Sequence, residues 1–377
     1  MQRSRVYLDA GGSQPLSRRV ADALTAGIAD GWADPARLST ESRRARALLD
    51  GSREAIAEVI GARPEHVHVV PTAHLAFERL IAGMVAARRG SDRIVVGATE
   101  RDAVIDAAHA SVGDAIESVP VDSHGHIDTE ALHATLAVPG VAVAAIQHAN
   151  QEIGTVQRLE LIADIADAAG VPLLVDATAS IGHIDPPARW DALVGHAADW
   201  GGPAGVAIIA TTPRTRWLPV WAGRDGFAPG GVNVALVLAA AVALQEREEQ
   251  RAHTDARLRR LIDRIRDGVS TLEGIDLVGD PEERLPHVLT FSCLYADGEA
   301  LVSELDRSGF AIGSGSACAT GTLEPSRVLA AVGALTHGNV RLSLPPTVTD
   351  ADIDAFLAEL PRALERIRTR LGAPGTH

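Results

Sequence analysis

The sequence contains no lysine: all 35 basic residues among its 377 are arginine. That absence excludes a Schiff base to a lysine amine and a phosphate loop that grips nucleotides through lysine. Cysteine is scarce as well. Cys293 and Cys318 are too few for a disulfide framework or a zinc site of their own. Aromatic residues make up only 3% of the chain, which is rich in Ala and Arg. Such a codon-driven bias thins lysine everywhere, but does not by itself remove one that catalysis requires. Long apolar runs are missing. The longest, Val232–Leu244, is interrupted by Asn233 and falls short of the roughly 20 residues a membrane span needs. The opening segment Met1–Gly12 has charges but no apolar core of a secretory signal, so a soluble cytoplasmic protein is expected. Positive charge is in deficit: 49 acidic against 35 basic residues give a net charge of −14, which sets aside a general nucleic-acid-binding surface.

What is present is an ordinary globular balance, with 46% apolar and 22% charged residues. From about residue 66 to 210 short β-branched runs alternate with helical patterns. The runs at 66–70, 93–97, 116–121, 141–146, 171–175 and 205–210 read as strands. Helical spacing fills 73–89, 102–111 and 159–169, and Gly170 stands where a helix C-cap is expected. Alternation of this kind predicts a mostly parallel sheet with helices on both faces. Ligands of such sheets sit at the carboxyl ends of the strands. A long helical pattern from Val234 to Leu272 leads to a smaller α+β region with strand-like 287–294 and 339–344 and helices at 298–308 and 350–370. The division expected is a large α/β domain over 20–245, with 1–19 and 246–377 forming a small α+β domain.

The segment Gly313-Ser314-Gly315-Ser316-Ala317-Cys318-Ala319-Thr320-Gly321 is the most specific in the chain. A lone cysteine is more often buried and inert. Glycine and serine on both sides favour instead an exposed loop, where a thiolate attacks or carries sulfur. Cys293, inside strand-like Thr290-Phe291-Ser292-Cys293-Leu294, reads as core.

That loop, with Arg327-Val328-Leu329 and Val340-Arg341-Leu342-Ser343-Leu344, resembles the cysteine desulfurases, in the class V aminotransferase branch of fold-type I pyridoxal-phosphate (PLP) enzymes. The resemblance spans nearly the whole chain. Tyr7-Leu8-Asp9 with Pro15-Leu16 is similar to the family's opening, and Arg53-Glu54 before Ile60-Gly61-Ala62 to its early helix. Asn150-Gln151-Glu152-Ile153-Gly154-Thr155 is close to its Asn-Asn-Glu-Ile-Gly-Thr signature. Val175-Asp176-Ala177 and Gly202-Pro203-Ala204-Gly205 match further motifs. The resemblance implies the fold-type I architecture and a homodimer. It also implies a reaction in which a loop cysteine takes sulfur from a PLP adduct of cysteine, leaving a persulfide and alanine. By position, Cys318 would accept sulfur and Arg341 would clamp the substrate carboxylate. Asp176 would face the pyridine nitrogen, and Asn150 would lie near substrate and ring. Arginine binds carboxylates bidentately, and an acid beside the ring nitrogen keeps PLP an electron sink. Apart from the resemblance, Arg341 reads as a structural ion pair and Asp176 as a cap or turn residue.

The family's lysine precedes Gly-Pro-x-Gly, and counting back from Gly202-Pro203 it falls on Asp199, in His196-Ala197-Ala198-Asp199. Other cofactor positions differ too. Ala73-His74-Leu75 replaces a phosphate-binding Ala-Thr-Glu turn, and Arg101 stands for the stacking histidine. Ala179 stands for the glutamine on the ring oxygen, and Ala228-Pro229-Gly230-Gly231 for the Arg-Ser-Gly-Thr loop that reaches the partner's phosphate. Cys318 and Arg341 remain. The expectation drawn is that the chain carries no cofactor. It would then act as a persulfide carrier through Cys318, taking sulfur from an active desulfurase and passing it to an acceptor protein. A non-catalytic regulatory or scaffold subunit, homodimeric or paired with an active paralogue, is the alternative. Repurposed chemistry, with His74, His196, Asp199 and Asp176 holding a metal, is a third; their spacing is not diagnostic, and no metal is expected.

Overall fold

Apolar residues that alternate between two faces build the centre of the molecule. Every residue of Val141–Gln147 is buried; Ala144 and Ile146 enter one core, Val143 and Ala145 another. A strand dry on both sides requires helices on both sides.

A computed structural model describes residues 5–219, 231–314 and 325–370. Its elements begin with β1 (Val6–Tyr7), α1 (Arg18–Asp30), α2 (Thr40–Ile60), β2 (Val67–Val70), α3 (Ala73–Ala87), β3 (Arg93–Gly97) and α4 (Asp102–Val112). They continue with β4 (Ile116–Val119), α5 (Thr129–Leu136), β5 (Val141–Gln147), α6 (Leu159–Ala169), β6 (Leu173–Asp176), β7 (Ala192–His196) and β8 (Ala207–Thr211). Then come α7 (Val234–Ser270), β9 (Ile275–Val278), β10 (Val288–Cys293), α8 (Gly298–Arg307), β11 (Phe310–Ala311), α9 (Arg327–Ala331), β12 (Asn339–Ser343) and α10 (Asp350–Arg370).

The large sheet has seven strands in the order β2-β8-β7-β6-β5-β3-β4. Strands β4, β3, β5, β6 and β7 run parallel, and β8 is antiparallel to both of its neighbours. Phe77, Leu80 and Ile81 of α3 and Val104 of α4 pack on one face. Ile56 of α2, Leu132 of α5, Ile162 of α6 and Leu244 of α7 pack on the other. The expected mostly parallel, helix-covered sheet is therefore found.

A second, antiparallel sheet, β12-β10-β9, packs with α8, α10 and the later turns of α7 in a separate core that includes Leu258, Ile265, Phe291, Leu342 and Phe356. This is the smaller C-terminal α+β part. Helix α7 serves both cores, with Val237 and Leu244 in the first and Leu258 and Ile265 in the second, so residues 245 and 246 lie inside one unbroken helix. Among the described residues no helix is long and apolar enough to cross a membrane.

Candidate active site

The carboxyl ends of the neighbouring parallel strands β3, β5, β6 and β7 lie side by side, and each leads to polar residues. Thr99, Glu100 and Arg101 follow β3; Asn150 lies beyond β5; Asp176 ends β6; His196 ends β7 and leads to Asp199. Ligand-binding residues of parallel sheets lie in this position.

Asp176 is 3% exposed and has two sets of partners. Its Oδ1 accepts from the Thr178 N–H (2.9 Å) and hydroxyl (2.6 Å). Its Oδ2 accepts from Arg101 Nε at 2.5 Å. Burial works against the Arg101 charge, but Asp176, Asp199 and Glu100 outweigh it and raise its pKa. Beside this pair Glu100 is fully buried. Its Oε1 accepts from the Gln147 N–H at 2.8 Å, and its Oε2 has no partner. Burial first, and the Asp176 charge second, push the Glu100 carboxyl well above the usual range.

Asp199, at the lysine position, lies in the turn after β7, and its Oδ2 is 2.7 Å from His196 Nδ1. Its carbonyl accepts from His183 Nε2 at 2.8 Å, which makes Nε2 the protonated nitrogen of that buried ring. The turn is thus fixed by two histidines, and nothing in it offers an amine.

Arg341 lies on β12, joined to Gly313 by reciprocal backbone hydrogen bonds of 2.9 and 3.0 Å. Its Nη2 donates to Asp9 Oδ1 at 2.9 Å, while its buried Nε has no partner. Cys318 and Ala228–Gly230 lie outside the described residues. Asn150 is engaged both by its own turn and by the ends of β3 and β5. Its amide donates to the Thr99 carbonyl (3.0 Å) and Gln147 Oε1 (3.2 Å), and its oxygen accepts the Glu152 and Ile153 N–H groups, both at 2.8 Å. Ala179 is buried, and His74 is exposed on the first turn of α3.

Three residues of this region carry no signal in spacing. Asp9 is legible only as part of Tyr7-Leu8-Asp9, Glu100 only as the neighbour of Arg101, and Glu152 only inside the Asn150–Thr155 motif. Glu152 is buried, and that burial raises its carboxyl pKa against a hydrogen bond from Ser326.

The convergence of His74, His196, Asp199 and Asp176 on a metal is not found, because His74 faces solvent and Asp176 is closed by Arg101 and Thr178. Among the described residues, the group close enough to share a cation is His126, Asp280 and Glu283. Arg158 Nε already holds Glu283 Oε2 at 2.9 Å there, and His126 Nε2 lies 3.0 Å from Asp280 Oδ2, an ion-pair cluster in its own right.

The family profile "Aminotransferase class-V" matches residues 6–223 and 221–356. The chain is 32% identical over 376 residues to the cysteine desulfurase IscS 1 of Archaeoglobus fulgidus, covering 96% of this chain and 98% of that one. It is 31% identical to a cysteine desulfurase of Cereibacter sphaeroides, covering 97% of each chain. To the cysteine desulfurase NifS of Azotobacter vinelandii it is 27% identical, over 96% of this chain and 93% of the other. Two solved structures share the fold. A NifS-like protein superposes with a TM-score of 0.88 at 23% identity, covering 96% and 99% of the two chains. The apo cysteine desulfurase of Thermococcus onnurineus gives 0.85 at 19% identity, covering 96% and 95%.

These relatives correct one expectation. The family is one of PLP enzymes, so PLP is the cofactor expected here, and the expectation of none is overturned. The changed side chains at the lysine, stacking and ring-oxygen positions remove a covalent anchor and some contacts, but leave Asp176 and the backbone N–H groups at the start of α3 in place. The residues present fit a noncovalently held ring at Asp176, provided Arg101 gives up Oδ2, and the N-terminus of α3 suits a phosphate. They do not fit a covalent attachment. When bound, PLP supplies an electron sink, with Asp176 its partner at the ring nitrogen. With the profile matching nearly end to end and relatives at 31% and 32% identity, the chain belongs to the cysteine desulfurase family of class-V aminotransferases.

Proposed function

We propose that this chain is a desulfurase-like sulfur handler that receives sulfur as a persulfide on Cys318 from an active desulfurase and passes it to an acceptor. One observation carries the reading. The family's lysine position is Asp199, hydrogen-bonded to His196, in a chain with no lysine to substitute for it. Covalent PLP chemistry of the family's usual kind is closed, whether or not a ring is held noncovalently, while the sulfur-handling residues are kept. The transfer balances without a redox partner. The Cys318 thiolate attacks the outer sulfur of the donor persulfide, the donor S–S bond breaks, and the donor cysteine leaves as a thiolate. Arg341, with one nitrogen on Asp9 and Nε free, suits a carboxylate of the donor or acceptor. A heterodimer with an active paralogue would bring donor and carrier together; a homodimer would meet the donor only transiently.

The test is mass spectrometry of the Cys318 peptide after incubation with an active desulfurase and cysteine. One added sulfur on Cys318, and no alanine from this chain alone, is the expected result. Alanine released from cysteine by the chain alone would overturn the reading. So would unchanged sulfur flow in Cys318→Ala, which would favour the regulatory subunit instead.

A further inference from the structure

Trp200 and Gly201, just after Asp199, contribute to the wall of a second cavity of about 340 Å³. It lies where the start of α1 and the middle of α7 meet the segment after β12, and neither Asp176, Arg101 nor Arg341 lines it. Most of its wall is apolar, with Leu16, Trp200, Ala243 and Pro345 among the lining residues. Arg247 also lines it and is only 6% exposed.

Several arginines on α7 are ion-paired: Arg251 holds Glu248 and Asp185, and Arg260 holds Asp350. Arg247 is not one of them. Among the described residues it has neither a hydrogen bond nor an ion pair. Burial lowers its pKa to about 10 against the fields of Asp255 and Glu246, which leaves it a cation at neutral pH. The nearby His183 and His287 are held neutral, chiefly by burial, and supply no counter-charge. Its nitrogens open onto the cavity, so the guanidinium offers its N–H groups to whatever acceptor enters there. Glu246, also on the wall, is occupied by the Ser17 hydroxyl, 2.5 Å from its Oε2. Its negative charge disfavours a polyanion beside Arg247.

We propose that this cavity binds a small monocarboxylate with a short apolar body, its carboxylate on Arg247 and its hydrocarbon against Leu16, Trp200, Ala243 and Pro345. The guanidinium fork matches a carboxylate in two parallel hydrogen bonds, and the apolar walls take the remainder. The site is separate from the sulfur chemistry and stands or falls independently of it.

Calorimetric titration of the full chain tests the site with 4-methylpentanoate, its neutral isostere 4-methylpentanamide, and inorganic phosphate. The expected result is that the acid binds at least about tenfold more tightly than the amide and that phosphate does not compete. Arg247→Gln should remove that preference while leaving the amide unchanged. Thr347→Trp, at the exposed edge of the cavity, should weaken both organic probes and keeps the test open should Arg247→Gln fail to fold. Equal affinity for acid and amide, acid binding indifferent to both substitutions, competition by phosphate, or no binding of the acid would each overturn the proposal.

Discussion

Glu100 and Arg101 are chain neighbours beside one buried carboxylate, yet they respond to it in opposite ways. Arg101 is the charge partner of Asp176; Glu100 resists ionisation first because it is buried and second because Asp176 is close. Replacing Arg101 by Leu should leave Asp176 buried beside Glu100 and Asp199 with only Thr178 to satisfy it. A loss of about 3–5 kcal/mol is expected in urea denaturation, because breaking one side of a buried pair strands the other. Adding Asp176→Asn should recover much of it; a loss under about 1 kcal/mol for Arg101→Leu would mean the pair is effectively solvated. Glu100→Gln tests the other neighbour through pH. The folded-state pKa of Glu100 is raised, so its contribution is fully present below the unfolded value of 4.5 and is lost as pH rises through the folded one. The variant should match the parent at pH 4 and become increasingly more stable than it toward pH 8. A constant offset at all pH values would show that Glu100 ionises normally. The sequence displayed Asp199 and Arg101 as departures from a motif. It could not display Glu100, because burial of a glutamate is a property of the packed strands around it.

At the scale of elements, strands with uninterrupted β-branched residues were legible to within a few residues. Strand β7 was not, because Gly195 and His196 dilute the apolar run Ala192–Val194. The antiparallel direction of β8 was also hidden, since direction follows from connections and not from composition. Helices α1 and α2 left weak traces because much of their surface faces water, and α1 owes its place to contact with α7. That contact rests on Gly27, where an added Cβ would come within 2.7 Å of Ala235 Cα, a backbone atom that cannot swing aside. Gly27→Leu should therefore push α1 from α7 and cost about 1–3 kcal/mol or more. Gly51, inside α2, is the internal control, since a Cβ there meets nothing within 4 Å. Gly51→Ala should stabilise the chain by about 0.5–1 kcal/mol through helix propensity alone. Denaturation midpoints moving in the same direction for both would contradict the packing described.

For the whole molecule, the two sheets meet at a stack of imidazoles. His183, in the loop between β6 and β7, lies on His287, just before β10, with ring centroids 3.7 Å apart and planes 14° from parallel. Burial, reinforced by Arg247, lowers the His287 pKa to about 3, and burial lowers that of His148 to about 4. A depressed histidine pKa means the unfolded chain binds the proton first. The stability these groups contribute is present above about pH 6.5 and drains away as pH falls toward their folded values. Each histidine should contribute a slope of about 1.4 kcal/mol per pH unit within its window. The buried acids oppose this. Burial raises Asp255 to about 7 and raises Glu100 and Glu152, so they lower stability as pH climbs above their unfolded values of 3.8 and 4.5. Between about pH 4.5 and 6.5 the two sets partly cancel, and the parent's own pH profile is therefore a poor witness. The difference between parent and His287→Phe is a better one, because it removes one histidine and leaves the acids in place. Across that interval the variant's unfolding free energy should fall less steeply toward acid, by about 1.4 kcal/mol per pH unit. Parallel curves for the two proteins would mean that His287 takes up its proton in the folded state as readily as in the unfolded one. The junction between the sheets would then be open to water.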